Sequence, residues 1–286
     1  MDECLKKSRN RKTSYSGMTS RKMQISFHGL TALVTGSTRG IGYAIARKLA
    51  QGGASVIVNG RTQDAVDSAL VKLRADVEDG DFRGVAADIA AADGCDHMIA
   101  AEPKIDILVS TAATFDWTDF FAASDEDWLR HFNVNVLSGV RLCRHYLADM
   151  LDRNWGRIVM VASESGLNIP ADMIHYGVSK AAEIALARGL AELTAGSGVT
   201  VNSVLPGPTA SSGSAAFLDN YAEIHGVPRA EAERHCVMAM RPTTLLQRFA
   251  TEEEVANMIV YACSRQASAT NGAAMRVEGG MLRHPG

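Results

Sequence analysis

The chain has 286 residues, 47% of them hydrophobic and 21% charged, with a formal net charge of -3. This make-up fits a globular protein with room for one large α/β domain or two small ones. The charge balance argues against a nucleic-acid binder, and no uncharged run approaches the roughly 18 apolar residues of a membrane span. Five cysteines (Cys4, Cys95, Cys143, Cys236 and Cys263) are scattered without a CxxC pair, which argues against a metal site or a disulfide framework and fits a reducing, cytoplasmic setting.

Residues 1–23 are basic and rich in Ser and Thr, but they include Asp2 and Glu3 and show no apolar stripe. They read as a disordered tail, or as residues upstream of a true start at Met18 or Met23, rather than as an organelle address. From Leu30 the pattern alternates between short apolar runs and helical periods. "LTALVTG" predicts a buried strand, "IGYAIARKLAQGG" a helix, "ASVIVNG" a strand, "QDAVDSALVKLRADV" a helix, and "FRGVAADI" and "KIDILVST" two further strands. A long helical stretch over 125–151 precedes the strand "GRIVMVAS", the helix that opens at "YGVSK" and the strand "VTVNSVLPG". After an irregular, partly helical region come the helix "TEEEVANMIVYACS" and a last strand in "AAMRVEGG". About seven strands, apolar on both faces and separated by helices, predict a doubly wound α/β parallel sheet covered on both faces. With no repeat or linker to divide it, 24–286 reads as a single domain.

"TGSTRGIG", Thr35 to Gly42, sits where the first strand meets the first helix. Glycines at 36, 40 and 42 permit a tight turn and a close backbone approach. The helix N–H groups are then free to hold a pyrophosphate, so Thr35, Gly36, Ser37, Arg39, Gly40, Ile41 and Gly42 are candidate dinucleotide contacts. The second strand ends in Asn59-Gly60-Arg61, with no acid to grip a ribose 2′-hydroxyl or repel a 2′-phosphate. Arg61, with Arg39, is suited to pair such a phosphate, which predicts NADP(H) in preference to NAD(H).

Tyr176 and Lys180 are four residues apart on one predicted helix, hence neighbours on one face. An ammonium there would stabilise a tyrosinate and lower the phenol's pKa.

With TGxxxGxG and YxxxK in this order, the chain resembles the short-chain dehydrogenase/reductase family from about Leu30 to Gly280, in particular its compact ketoacyl reductase-like branch. The resemblance implies a Rossmann-like fold and a catalytic set of Asn135, in "VNV", Ser163, in "VASESG", Tyr176 and Lys180. It further implies that Asp88 contacts the adenine, that Pro206, Gly207 and Thr209 of "PGPT" lie beside the nicotinamide, and that 210–246 forms a substrate lid. One departure is plain: Ser110-Thr111-Ala112-Ala113 stands where the family usually reads NNAG. That change removes amides expected to brace the sheet and, with Ala113 in place of the glycine, adds a methyl beside the cofactor contact implied at Ala112, where the backbone should approach.

On this reading Tyr176 acts as proton donor, Lys180 lowers its pKa and binds the nicotinamide ribose, and Ser163 donates to the substrate oxygen. Asn135 holds a water that relays protons to Lys180. The expected activity is NADPH-dependent reduction of a small-molecule carbonyl, reversible as an alcohol dehydrogenase. The alternative is an NADPH-binding regulatory or sensor protein without turnover, suggested by the altered STAA segment. His175 and Glu164 read as supporting or solvated groups, and Trp117, Phe120 and Phe121 as loop packing. Small residues on the Tyr176 helix (Ala185, Ala187, Gly189, Ala191), on more faces than one sheet can cover, predict a homodimer or homotetramer.

Overall fold

A computed structural model of the protein describes residues 24–211 and 213–284; the basic tail lies outside the described residues. Seven parallel strands form one sheet in the order β3-β2-β1-β4-β5-β6-β7. They are β1 (Thr31–Val34), β2 (Ser55–Gly60), β3 (Asp81–Ala86), β4 (Ile107–Ser110), β5 (Gly156–Val161), β6 (Val199–Pro206) and β7 (Ala274–Val277). The strand order reverses direction between β1 and β4, and the carboxyl ends flanking that switch point are where such sheets build their ligand crevice.

Alternation along the strands divides the interior into two cores. Ala32, Val34, Val56 and Val58 face one side, under α1 (Gly40–Gln51), α2 (Gln63–Asp76) and α9 (Glu252–Cys263). Leu33, Ile57, Leu108 and Ile158 face the other, under α3 (Ala92–Ala101), α5 (Ser138–Asp152) and α6 (Ile174–Glu192). Period-two side-chain placement on a strand therefore feeds both layers at once.

Two helix starts show how local sequence fixes an element boundary. Ser124 caps α4 (Asp125–His131) and Thr251 caps α9, each with the acid three residues on (Asp127, Glu254) bonding back to the cap's backbone N–H. This reciprocal capping satisfies donors that would otherwise be orphaned. The α1 start has no such cap: Arg39 makes no side-chain capping bond and no acid stands in the first turn.

The long helix predicted over 125–151 is one continuous helical run broken by a π-helical turn, Phe132–Leu137, between α4 and α5. Such a turn displaces side chains from the regular helical stripe and often marks a functional position; here it carries Asn135. The segment expected as a lid contains two helices, α7 (Ser214–His225) and α8 (Arg229–Met240), which share a small core of Leu218, Ala222, Ala232, Cys236 and Val237 with Phe249 beyond them.

Candidate active site

The turn between β1 and α1 is shaped by the side chains buried beneath it. Gly36 has φ +60, and a Cβ there would come 2.8 Å from the Ala112 Cα, so both the left-handed conformation and the space require glycine. The Ser37 hydroxyl donates to Val34 O at 2.6 Å and accepts from Asn59 N at 3.0 Å, while Thr35 Oγ1 accepts from the main-chain N–H groups of Thr111 and Ala112 at 3.0 and 3.1 Å. The hydroxyls of Thr35 and Ser37, both fully buried, thus shape the turn from within the protein. Asn59, considered in the sequence only as a missing acid, is a brace: its Oδ1 accepts from Gly36 N at 3.3 Å and its Nδ2 donates to Val85 O and Ala87 O, both at 3.1 Å.

The uncapped start of α1 leaves its N–H groups and positive dipole end directed at this cradle, where a pyrophosphate fits. Ile41 and Gly42 lie in its first turn. Arg39, Arg61 and Asp88 are exposed around the same end of the sheet; Asp88 Oδ1 accepts from Ala90 N at 3.2 Å. The segment that departs from NNAG keeps its hold on β1 through the two main-chain bonds to Thr35 and a hydrogen bond from the Thr111 hydroxyl to Thr35 O. A threonine and main-chain groups thus take the place of the missing amides. On the far side of the crevice, Pro206 ends β6, Gly207 N donates to Val277 O at 3.1 Å and Thr209 Oγ1 donates to Gly207 O at 2.9 Å.

The four expected catalytic residues converge at the carboxyl end of the sheet. Ser163 follows β5 and caps a short 3-10 turn, Glu164–Gly166, through Ser165 N at 3.1 Å. That turn lies directly on α6: a Cβ on Gly166 would come 2.8 Å from the main-chain carbon of Lys180, so glycine lets the Ser163 turn approach the Tyr176 helix. Tyr176, half-buried, and Lys180, fully buried, are neighbours on α6, with the ammonium 5.8 Å from the phenol ring centre. Lys180 Nζ donates to Val161 O at 3.0 Å.

One expectation needs correction. The Tyr176 pKa is raised, not lowered: burial pushes it up, and Lys180 and a hydrogen bond with Ser163, which pull it down, do not overcome that. The Asn135 amide serves as a strut. Its Oδ1 accepts from Thr114 N at 2.8 Å, and its Nδ2 donates to Thr114 O at 3.1 Å and Ser179 Oγ at 2.8 Å. Trp117, Phe120 and Phe121 are 62%, 49% and 94% exposed and meet loop neighbours edge-on, Trp117 with Phe115 at 6.2 Å between ring centres and Phe120 with Phe121 at 5.5 Å.

Three charged arrangements surround the site, two of them buried. Glu164, 2% exposed, pairs with Arg241 just beyond α8 (Nε to Oε1, 2.9 Å) and so ties the Ser163 turn to the α7–α8 segment. Burial raises the Glu164 pKa, and Arg241 opposes it. Asp116, in the loop after β4, accepts from His175 Nε2 at 2.7 Å and from Arg130 Nη2 at 2.5 Å, with His131 Nε2 at 3.6 Å. This anchors the loop that presents Phe115 edge-on to Tyr176, ring centres 6.2 Å apart. His175, next to Tyr176 in sequence, is thus a buried loop anchor. The third is Glu183, 1% exposed, whose Oε2 lies 2.6 Å from Lys180 Nζ. The signal for it was present in the sequence: an acid three residues beyond Lys180 on the same helix face.

A doubly wound parallel sheet with a glycine turn at its switch point and a Ser, Tyr and Lys cluster across the crevice defines a dinucleotide-dependent oxidoreductase. The short chain dehydrogenase family model matches residues 30–221. The uncharacterized oxidoreductase YvrD of Bacillus subtilis is 46% identical over 254 residues, covering 88% of this chain and 95% of that protein. YvaG of the same organism, also an uncharacterized oxidoreductase, is 39% identical over 261 residues, covering 91% and 99%. Among solved structures, L-sorbose reductase from Gluconobacter frateurii, complexed with NADPH and L-sorbose, superposes with a TM-score of 0.84 at 28% identity, covering 92% of this chain and all of that one. A putative NAD(P)-dependent gluconate 5-dehydrogenase from Beutenbergia cavernae with bound NADP gives 0.79 at 30% identity, covering 91% and 99%. The chain belongs to the short-chain dehydrogenase family and is an NAD(P)-dependent oxidoreductase. No described helix is long and apolar enough to cross a membrane.

Proposed function

We propose that the protein is an NADPH-dependent carbonyl reductase, reversible as an alcohol dehydrogenase, acting on a small molecule. The observation that carries this reading is the convergence of Ser163, Tyr176 and Lys180 where the Gly166 turn meets α6. The nicotinamide, when bound, supplies or accepts hydride. The residues at its edge must then manage the charge that develops on the substrate oxygen. Ser163 donates a hydrogen bond to that oxygen, and Tyr176 delivers its proton as the alcohol forms. Burial raises the Tyr176 pKa, and Lys180 and Ser163 pull it back toward the range in which proton transfer is efficient. Lys180 balances the tyrosinate left behind and holds the ribose, while Asn135 fixes α6 through Ser179, whose hydroxyl donates to Tyr176 O at 2.7 Å.

Arg61 and Arg39 support NADPH over NADH, because their guanidinium groups suit a 2′-phosphate and no acid stands at the end of β2 to repel one. Relatives named for L-sorbose and gluconate make hydroxylated ketones the first substrates to try. The main-chain ties from Thr111 and Ala112 to Thr35 weaken the case for a sensor without turnover, which rested on that segment alone. Exposed Leu129, Leu137 and Leu193 support a homodimer or homotetramer. The test is a panel of carbonyls and alcohols with NADPH, NADH and their oxidised forms, beside dissociation constants for both reduced cofactors. Turnover with a clear NADPH preference is expected. NADPH binding without turnover across the panel would restore the sensor reading, and equal affinities would refute the cofactor assignment.

A further inference from the structure

Tyr176, Lys180 and Glu183 stand at i, i+4 and i+7 of α6 and form one stripe on the face packed against β6 and the Glu164–Gly166 turn. An acid on this stripe is unexpected, since the helix buries that face and a carboxylate loses its hydration there. Glu183 is 1% exposed, and its Oε2 lies 2.6 Å from Lys180 Nζ. The contact is a buried ion pair, and among the described residues Lys180 is the one ionic partner of Glu183.

The Lys180 ammonium has three hydrogens. One is bonded to Val161 O and one side of the group faces Glu183, so only the remaining side is open toward Tyr176 and a ribose. With Glu183 ionised, the Lys180–Glu183 pair is neutral overall and Tyr176 feels a dipole. With Glu183 protonated, Tyr176 faces an unscreened cation. The second state favours tyrosinate more, because opposite charge nearby stabilises an anion.

We infer that Glu183 is a positioning residue that holds the Lys180 ammonium against β5 and sets how much of its charge reaches Tyr176. The inference rests on the reading of Tyr176 and Lys180 as the proton-transfer couple. Burial lifts the Glu183 carboxyl to about 7, with Lys180 pulling it back, so its charge changes near neutral pH. Burial works against the charge on Lys180, but Glu183 and Tyr176 outweigh it and raise its pKa, so the lysine stays charged through that change. The other ionisable group acting on Tyr176 is Glu164 of the 3-10 turn, itself paired with Arg241 just beyond α8 and under the influence of Glu278; β5 contributes only the Val161 carbonyl.

The decisive measurement is the pH dependence of alcohol oxidation, whose acidic limb follows ionisation of the tyrosine, in the unaltered protein, Glu183→Gln, Glu183→Leu and Glu183→Asp. Glu183→Gln and Glu183→Leu should move that limb to lower pH by about one unit, while Glu183→Asp, which keeps the charge, should stay near the original. A uniform loss of activity or melting temperature with the limb unmoved in both neutral variants would overturn the proposal and leave Glu183 a packing residue. Ultraviolet titration of the tyrosinate, blanked with Tyr176→Phe, gives a readout that needs no substrate. If no alcohol is oxidised, the proposed function fails, yet a lower Tyr176 transition in Glu183→Gln would still support the Glu183 assignment and an unchanged one would refute it.

Discussion

The two sides of the crevice are built from different materials. On the β1–β4 side the site is mostly backbone: a glycine turn with φ +60 at Gly36, an uncapped helix start, and buried hydroxyls that hold the turn in shape. On the side that carries α6 it is mostly charge: Lys180 with Glu183 and Glu164 with Arg241, both buried, and the half-buried Asp116, reaching across from the loop after β4, with His175 and Arg130. A backbone cradle is already polarised toward an anion and has little to titrate. A cluster of buried charges depends on every partner being present, because an isolated charge in a dry interior is costly. The first side is suited to hold a constant group, the second to place and tune a proton. Substitutions on the second side should therefore carry the larger effects.

The largest effect is expected at Tyr176. Tyr176→Phe removes the proposed acid and leaves the glycine cradle intact, so turnover should fall by about 10²–10⁴-fold with NADPH affinity nearly unchanged. Steady-state NADPH oxidation beside a fluorescence titration checks both halves; unaltered turnover would rule out the mechanism. Next comes Arg241→Ala, which leaves Glu164 buried without its cation. Breaking a buried pair from one side costs about 3–5 kcal/mol, so denaturant unfolding at neutral pH should show a loss of that order. Adding Glu164→Gln should recover much of it by removing the stranded charge. A single variant as stable as the parent would mean that Glu164 finds another partner.

These sides also differ in how far sequence could reveal them. The glycine turn occupies eight consecutive residues, and each strand carries its own apolar run, so the fold could be read from local pattern: "LTALVTG" contains β1 and "GRIVMVAS" contains β5. Glu164 and Arg241 are 77 residues apart, and Asp116 and His175 are 59 apart. Nothing in either neighbourhood announces its partner. The π-helical turn at Asn135 was hidden because one displaced turn barely disturbs a helical period. Glu183 was legible but passed over among small and apolar neighbours. The sign of the Tyr176 pKa shift depends on burial against nearby charge, a balance that only the packed structure sets.

A smaller effect belongs to the cofactor side. Arg61 is exposed at the end of β2, so its contribution is a surface electrostatic one added to a backbone cradle that either dinucleotide can use. Arg61→Asp should reduce the preference for NADPH over NADH by about tenfold, with turnover at saturating cofactor little changed. The ratio of dissociation constants at low and high salt measures it. A preference unmoved at low salt would shift the 2′-phosphate assignment away from Arg61.

The smallest effect tests whether the loop anchor is an independent part of the charged side. Burial works to raise the Asp116 pKa, but hydrogen bonds from His175 and Arg130 and the nearby positive charge overcome it and hold the group at about 2. Its ordinary value is 3.8, so the folded state binds fewer protons than the unfolded chain between these values. Stability from this carboxylate is therefore fully present above about pH 4 and lost as the pH falls toward about 2. Because Asp116 is about one-third exposed, solvent screening limits the contribution to about 1 kcal/mol. Asp116→Asn should thus lower stability by about that amount at neutral pH, and the gap to the parent should close as the medium is acidified. Denaturant titrations at a series of pH values follow the gap. A gap that stays constant down to acid pH would show that the asparagine disturbs loop packing around Phe115 and that the carboxylate charge contributes nothing of its own.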